Sequence, residues 1–206
     1  MKKFLVAIVA VLFAAPSFAQ YSSGGFSLSE STVYYGMRLG LNVSNLTGDA
    51  PDGLGSKAGL NFAGVIGLRV SDTTPVFLES GLYFTQRGAR EDKNNYVDLN
   101  YLEIPILLKY GIQASDDIAV LPYIGPTFGL GIAGETKATV AGVSAKEGSF
   151  KNLCDRADVG IKIGCGAEYN KLYLEAGYQF GITNIAKDDD LSMHNGAFFV
   201  NIGVNF

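Results

Sequence analysis

Tryptophan is absent from the 206 residues, histidine occurs once and cysteine twice. A single histidine, His194, leaves little room for histidine-based metal chemistry. Two cysteines supply neither a disulfide-rich scaffold nor a four-cysteine zinc site. Charge is sparse: Asp, Glu, Lys and Arg make up 17% of the chain, with a formal charge of −4. A pI near 5.0 argues against nucleic acid as a partner, which needs a basic patch. After residue 19 no apolar run reaches the ~18–20 residues of a membrane-spanning helix. What the chain has instead is apolar side chains, 48% of residues, and a mean hydropathy of +0.18, too high for disorder. It also has 26 glycines, well above the usual ~7%.

The chain opens with Lys2 and Lys3, an apolar run from Phe4 to Ala15, then Ser17-Phe18-Ala19. A basic start, a short greasy stretch and small residues before a cut are the marks of a secretory signal peptide. Residues 1–19 are therefore expected to be removed, with an export route to an oxidising compartment, and no cysteine follows the cut to carry a lipid. Loss of Lys2 and Lys3 moves the charge from −4 to −6. Residues 20–33, rich in Ser and Gly without a clear period, read as a flexible N-terminal arm, and 34–206 as one domain.

From Tyr34 onward apolar side chains recur at every second residue, the strand period. Eight segments show it, near 34–44, 59–71, 75–88, 97–112, 117–133, 156–169, 171–184 and 196–206. In the last, Phe198, Val200, Ile202, Val204 and Phe206 share one face, and Ala197, Phe199, Asn201, Gly203 and Asn205 the other. In the seventh, Leu172, Leu174, Ala176, Tyr178, Phe180 and Ile182 oppose Tyr173, Glu175, Gly177, Gln179, Gly181 and Thr183. The fold class is thus all-β, an eight-stranded antiparallel up-and-down barrel.

Alternation alone does not say which face is inside. A lipocalin-like soluble barrel turns its apolar set inward; a membrane barrel turns it outward. Three features select the membrane barrel. The polar faces carry Arg38, Arg69, Glu79, Arg87, Glu103, Lys109, Asp158, Lys162, Glu168 and Glu175, a lumen charge network, while the apolar faces carry no charge. The polar faces also hold nearly all strand glycines, with only Gly64 on the apolar face. An eight-stranded interior is just wide enough to be filled by side chains, so long charged residues there need small neighbours. Third, aromatics gather at the rims of the apolar face. Tyr35, Tyr110, Tyr169 and Phe206 fall at the inner rim, and Phe62, Phe84, Phe128, Phe180 and Phe198 towards the outer one. Two aromatic girdles flanking an apolar band mark an outer-membrane barrel in contact with lipid.

The connections agree. Turns near Asp72-Thr73-Thr74, Ala114 to Asp117 and Asn170-Lys171 are short, and 45–58, 89–96, 134–155 and 185–195 are longer external loops. Two irregularities stand out. Val97, Leu99 and Tyr101 sit on the parity opposite to the apolar set that follows Leu102, which predicts a bulge or an early exit near residue 100. Pro105, Pro122 and Pro126 each remove a ladder donor, which predicts local bulges.

Several stretches resemble the small outer-membrane β-barrel family of Bacteroidetes-type bacteria, the PorT-like or porin-family proteins. They are Gly36-Met37-Arg38-Leu39-Gly40-Leu41-Asn42, Tyr101-Leu102-Glu103-Ile104-Pro105-Ile106-Leu107-Leu108-Lys109-Tyr110, Tyr123-Ile124-Gly125-Pro126 and the closing strand. The resemblance covers roughly 34–206 and implies an outer-membrane location. It also implies a terminal aromatic, Phe206, read by the barrel-assembly machinery as partner during biogenesis. A relative's part in protein secretion makes an accessory role in a secretion or transport machine an alternative.

Five basic and five acidic lumen residues suggest mutual pairing that plugs the barrel, with Glu79 and Glu103 placed to share a cation such as Arg38, Lys109 or Lys162. His194 lies in the last loop with Asp188, Asp189, Asp190 and Ser192. A lipid-modifying Ser/His site or calcium ligation is conceivable there, but a solvated loop is the reading adopted, with no catalytic residue, cofactor or metal. Cys154 and Cys165 are too far apart along an extended strand to form a disulfide. The expected function is a monomeric, closed outer-membrane barrel, not an enzyme or an open pore, with a structural or binding role. An envelope protein partner would meet its external loops, 134–155 first.

Overall fold

The computed structural model describes residues 33–206 apart from 51, 52, 72, 94, 116, 141, 142 and 189. The expected signal peptide and all of the arm but Val33 lie outside the described residues. Strands follow one another as β1 (Val33–Gly48), β2 (Gly55–Arg69), β3 (Val76–Arg90), β4 (Tyr96–Tyr110), β5 (Ile112–Gln113), β6 (Ile118–Ala133), β7 (Glu135–Val140), β8 (Val143–Gly148), β9 (Ala157–Tyr169), β10 (Leu172–Gly181) and β11 (Met193–Asn205). Among the described residues one short helix, α1, covers Ser149–Asn152. No described helix is long and apolar enough to cross a membrane.

Eight of the strands, β1, β2, β3, β4, β6, β9, β10 and β11, close into one antiparallel barrel. The last pairs with the first over Gly36↔Asn205 to Gly48↔Met193, and β4 pairs with β6. Closure gives every spanning strand a partner on both sides, as backbone in hydrocarbon requires. The apolar parity faces outward: Leu174 is 54% and Ile202 58% exposed, while Arg38 and Glu79 are 1% and 0% exposed. That is an inside-out arrangement, with the apolar side chains on the outer surface and the charged ones in the lumen.

Glycine position follows from volume. A Cβ on Gly67 would overlap the Tyr34 ring, one on Gly166 the Tyr173 ring, and one on Gly131 the Phe150 ring, whereas at Gly64 it would meet nothing within 4 Å. Interior glycines make room for rings and guanidinium groups; the outward one faces open space.

At the inner end, Tyr169 pairs directly with Leu172, leaving the two-residue turn Asn170-Lys171. Asn170 has φ 55°, a left-handed conformation that asparagine tolerates better than most residues. At the outer end the strands run further than the alternation predicts. β1 continues to Gly48, β2 begins at Gly55 and β11 at Met193. A tilted strand needs ~9–11 residues to cross a bilayer, and β1 has 16. The 134–155 segment is likewise not an open loop: β7 and β8 form a hairpin from Glu135↔Gly148 to Val140↔Val143. β7 joins β4 through Tyr96↔Lys137 and Val97↔Thr136.

The first irregularity carries the expected register shift near residue 100, though not within β4 itself, and the second does not. β4 keeps its pairing with β3 from Val76↔Tyr110 to Arg90↔Tyr96 without a shift, so Val97, Leu99 and Tyr101 simply point inward with Glu103. The bulge opposite Asn100 belongs to β6, where Tyr101 faces Gly131 and Asn100 faces Ala133. A second shift lies between Ser56 and Asn61 on the β2–β3 ladder, near Gly88, whose φ of 129° suits glycine alone. None of the prolines makes a bulge: Pro105 faces Thr127, and Pro122 and Pro126 face Cys165 and Ile161 in unbroken register. A missing donor costs one ladder bond, whereas a one-residue slip would turn a whole apolar face inward. The Ser80 hydroxyl donates to the Pro105 carbonyl at 2.7 Å.

Candidate functional site: a sealed lumen and an external face

The lumen is stacked in layers. At the inner mouth Tyr34, Phe77, Ala119, Leu121 and Tyr173 form an apolar plug. Above it Glu79 receives Lys109 Nζ at 2.8 Å, Arg38 Nη2 at 3.4 Å and the Tyr34 hydroxyl at 2.6 Å. The Arg38 guanidinium lies 4.0 Å from the Tyr173 ring centre. An amide belt follows, in which Asn42 Nδ2 donates to Asn61 Oδ1 at 2.8 Å and Asn201 Nδ2 to Glu175 at 2.7 Å. The next layer centres on Glu103, which receives Arg87, Lys162 at 2.9 Å and Gln179 Nε2 at 2.7 Å. Arg87 also reaches Asp158 at 3.3 Å. A residual cavity of about 10 Å³ lies among these groups, space for about one water. The outer mouth is closed by a second apolar cluster that includes Leu46, Val97, Leu99, Tyr101, Phe150 and Met193. Tyr101 and Phe150 meet edge to face, with centroids 5.6 Å apart.

Seven of the ten expected lumen charges therefore join two ion clusters. Glu79 and Glu103 do not share a cation; each collects two. Glu168 instead accepts from Asn205 Nδ2 at 2.7 Å, and Glu175 from Asn201. Arg69 is not in the network: it is half-buried at the inner rim, where Nε donates to the Ser71 carbonyl at 2.8 Å. The expected network left out Asn42, Asn61, Gln179, Asn195 and Asn201, all buried amides of the lumen. Their signal was present, since each lies on the parity of the charged residues. Of the expected girdle, Tyr35, Tyr110, Tyr169 and Phe206 are exposed on the outer surface, as are Phe62, Phe128, Phe180 and Phe198. Phe84 is half-buried, flanked in register by Phe62 and Leu102.

Above the band, the Tyr96 hydroxyl donates to Glu135 on the hairpin, which also receives Lys146 Nζ at 2.9 Å. These two donors hold the Glu135 carboxyl below its usual range. The tie is intact at neutral pH and loosens only as pH falls through that lowered pKa.

Ser192 Oγ lies 3.1 Å from His194 Nε2, and His194 Nδ1 lies 3.0 Å from the Thr183 carbonyl. A carbonyl only accepts, so Nδ1 carries the proton and Nε2 accepts from the hydroxyl. A nucleophile and a base are thus in reach, but two nearby amides are taken. The Ser192 N–H donates to Asp49 Oδ2 at 2.9 Å and the Met193 N–H to Asn184 Oδ1 at 2.8 Å. Neither is left to stabilise an oxyanion. Asp189 lies outside the described residues, and among the described residues no group of three His, Cys, Asp or Glu is placed to hold a metal.

Cys154 is buried and Cys165 exposed, both free thiols. Burial pushes the Cys154 thiol up to about 12, so at pH 7.5 it carries almost no thiolate, the reactive form. In detergent, a charged water-soluble maleimide is expected to leave Cys154 unmodified until the barrel unfolds. Cys165 should react with an apolar maleimide that partitions into the lipid phase. Rapid labelling of Cys154 in the folded barrel would contradict the sealed outer mouth.

The fold and the filled lumen define a closed outer-membrane β-barrel. Residues 18–187 match the model of the outer membrane protein beta-barrel domain family, and the chain belongs to that family. Among solved structures, it is similar to neisserial surface protein A, at 16% identity over 85% of this chain and 98% of the other with a TM-score of 0.48. It is also similar to the attachment invasion locus protein Ail of Yersinia pestis, at 14% identity over 85% of this chain and all of the other with a TM-score of 0.43. Similarity to OprG of Pseudomonas aeruginosa is at 11% identity over 87% and 98% of the two chains, with a TM-score of 0.40. No match was found among curated proteins.

Proposed function

We propose that this outer-membrane barrel neither conducts nor catalyses, and that it works as a monomer that holds its external face to a protein partner in the envelope. The observation that supports this most is the continuation of strand pairing beyond the apolar band into the β7–β8 hairpin, above a lumen sealed by ion clusters and two apolar plugs. Energy spent on ordering a projecting hairpin is hard to explain in an inert plug, and the filled interior leaves no path for solute. Purified barrel in planar bilayers should give no conductance steps, and discrete steps would end the closed-barrel reading. Replacing 136–147 by a short Gly-Ser turn should abolish cross-linking to the envelope partner captured by the intact barrel. Capture that survives the replacement would remove the hairpin from the interface.

The same proposal includes a leader cut after Ala19, membership of the PorT-like branch, and insertion by the barrel-assembly machinery through the C-terminal Phe206. A second reading, an accessory subunit of a secretion machine, uses the same hairpin. Co-purification of a large envelope complex favours it, and a lone barrel after gentle extraction counts against it. The Ser192–His194 contact favours a lipid-active enzyme as the remaining alternative. Envelope lipids unchanged in a His194→Ala strain would eliminate that reading.

A further inference from the structure

On the external face, next to α1, lies an open cleft of about 470 Å³ lined by Phe150, Asp155, Arg156, Ala157, Thr183, Asn184 and Lys187. Its two cations are held by main-chain carbonyls rather than carboxylates. Arg156 Nη1 donates to the Gly131 carbonyl at 2.6 Å, and Lys187 Nζ to the Lys151 carbonyl at 2.8 Å. Among the described residues neither has a carboxylate oxygen within the 4.0 Å that defines the barrel's ion pairs, the adjacent Asp155 included. The interior cations Arg38, Arg87, Lys109 and Lys162 are each matched by a carboxylate, as are Lys57 and Lys146 outside. A guanidinium has five donors and an ammonium three, so both groups keep spare donors and full charge. Carbonyl anchoring fixes their positions without neutralising them.

Height matters as well. Arg156 and Thr183 sit where β9 and β10 leave the membrane. Leu130 and Ile182, 55% and 56% exposed, are the outward apolar residues beside them. The cleft therefore opens at the level of the outer-leaflet headgroups. A volume in the range of ligand pockets is several times what a bare phosphate occupies and has room for an attached sugar.

We infer that the Arg156–Lys187 cleft binds a phosphate-bearing sugar, supplied by the headgroup of an outer-leaflet glycolipid. The inference rests on the external face being the working surface, but it concerns lipid at the cleft and not protein at the hairpin. Arg156 and Lys187 each give charge-assisted hydrogen bonds to phosphate oxygens.

Native mass spectrometry of the detergent-solubilised full chain, titrated with bis-phosphorylated lipid A, tests it. One lipid should be retained by the wild type. The Arg156→Gln/Lys187→Gln variant should bind at least about tenfold more weakly, and dephosphorylated lipid A should bind the wild type more weakly by a similar factor. Lys93→Gln, an exposed cation on another external loop, should change affinity less than twofold. Heat-dependent gel mobility shows that each variant is folded. Soluble glucosamine 1-phosphate that competes at equal concentration would confirm the phosphosugar chemistry and assign a free sugar as its source; no competition assigns the headgroup. Binding by the double variant within twofold of wild type, or an equal loss in Lys93→Gln, overturns the site. Either result leaves the hairpin experiment untouched, so the two failures are distinguishable.

Discussion

Glu103→Ala should lower the stability of the folded barrel by about 3–5 kcal/mol, the cost of leaving buried cations without their partner. Glu103 receives Lys162 at 2.9 Å, Gln179 at 2.7 Å and Arg87, and is 1% exposed. Its removal takes the carboxylate paired with Lys162 and one of the two paired with Arg87, in a layer of buried side chains. Asp158 remains within 3.3 Å of Arg87, so Lys162 is the cation left worst off. Urea unfolding in detergent micelles measures the change. Glu135→Ala, which breaks the exposed pair with Lys146, should leave the unfolding midpoint nearly unchanged, because solvent screens such pairs. Equal effects from the two substitutions would mean that the lumen is hydrated rather than packed.

Gly166→Leu should destabilise the barrel by about 3 kcal/mol or more, because overfilling a packed interior forces side chains and backbone to move. The Tyr173 ring occupies the place of the missing side chain. That ring cannot swing away: Arg38 stacks on it at 4.0 Å and Lys109 Nζ donates to its hydroxyl at 2.9 Å. Gly64→Leu puts the same side chain where nothing lies within 4 Å, against lipid, and should be neutral or slightly stabilising. Refolding yield, read from heat-dependent gel mobility, separates the two. A barrel that accepts leucine equally at both positions would not have its glycine face inside.

The alternation of β10 and β11 was enough to place Leu174 and Ile202 outside and Glu175 and Asn201 inside. Segregating charge and glycine on one parity left no other packing for an eight-stranded barrel. Strand ends were less legible. The outward positions Asn45 and Thr47 on β1 are polar, so the alternation ends there although pairing continues to Gly48. Val97, Leu99 and Tyr101 look like a change of parity only if every inward residue must be polar. Above the membrane the inward face is roofed by Phe150 and Met193, and apolar residues belong there. The prolines misled for a related reason: the donor they lack is a local loss, while register is held by whole faces on both sides.

The period of two, a property of the extended backbone itself, thus settled from sequence which side chains meet lipid and which meet one another. It could not tell that Glu79 would take Arg38 and Lys109 while Glu103 took Arg87 and Lys162, or that Arg69 would stay at the rim. Those choices depend on stagger and tilt around the closed cylinder, which set the heights at which residues from distant strands meet across the lumen. The same geometry brought Arg156 and Lys187 to one cleft and folded the longest external segment into a paired hairpin, and none of it is written in any single strand.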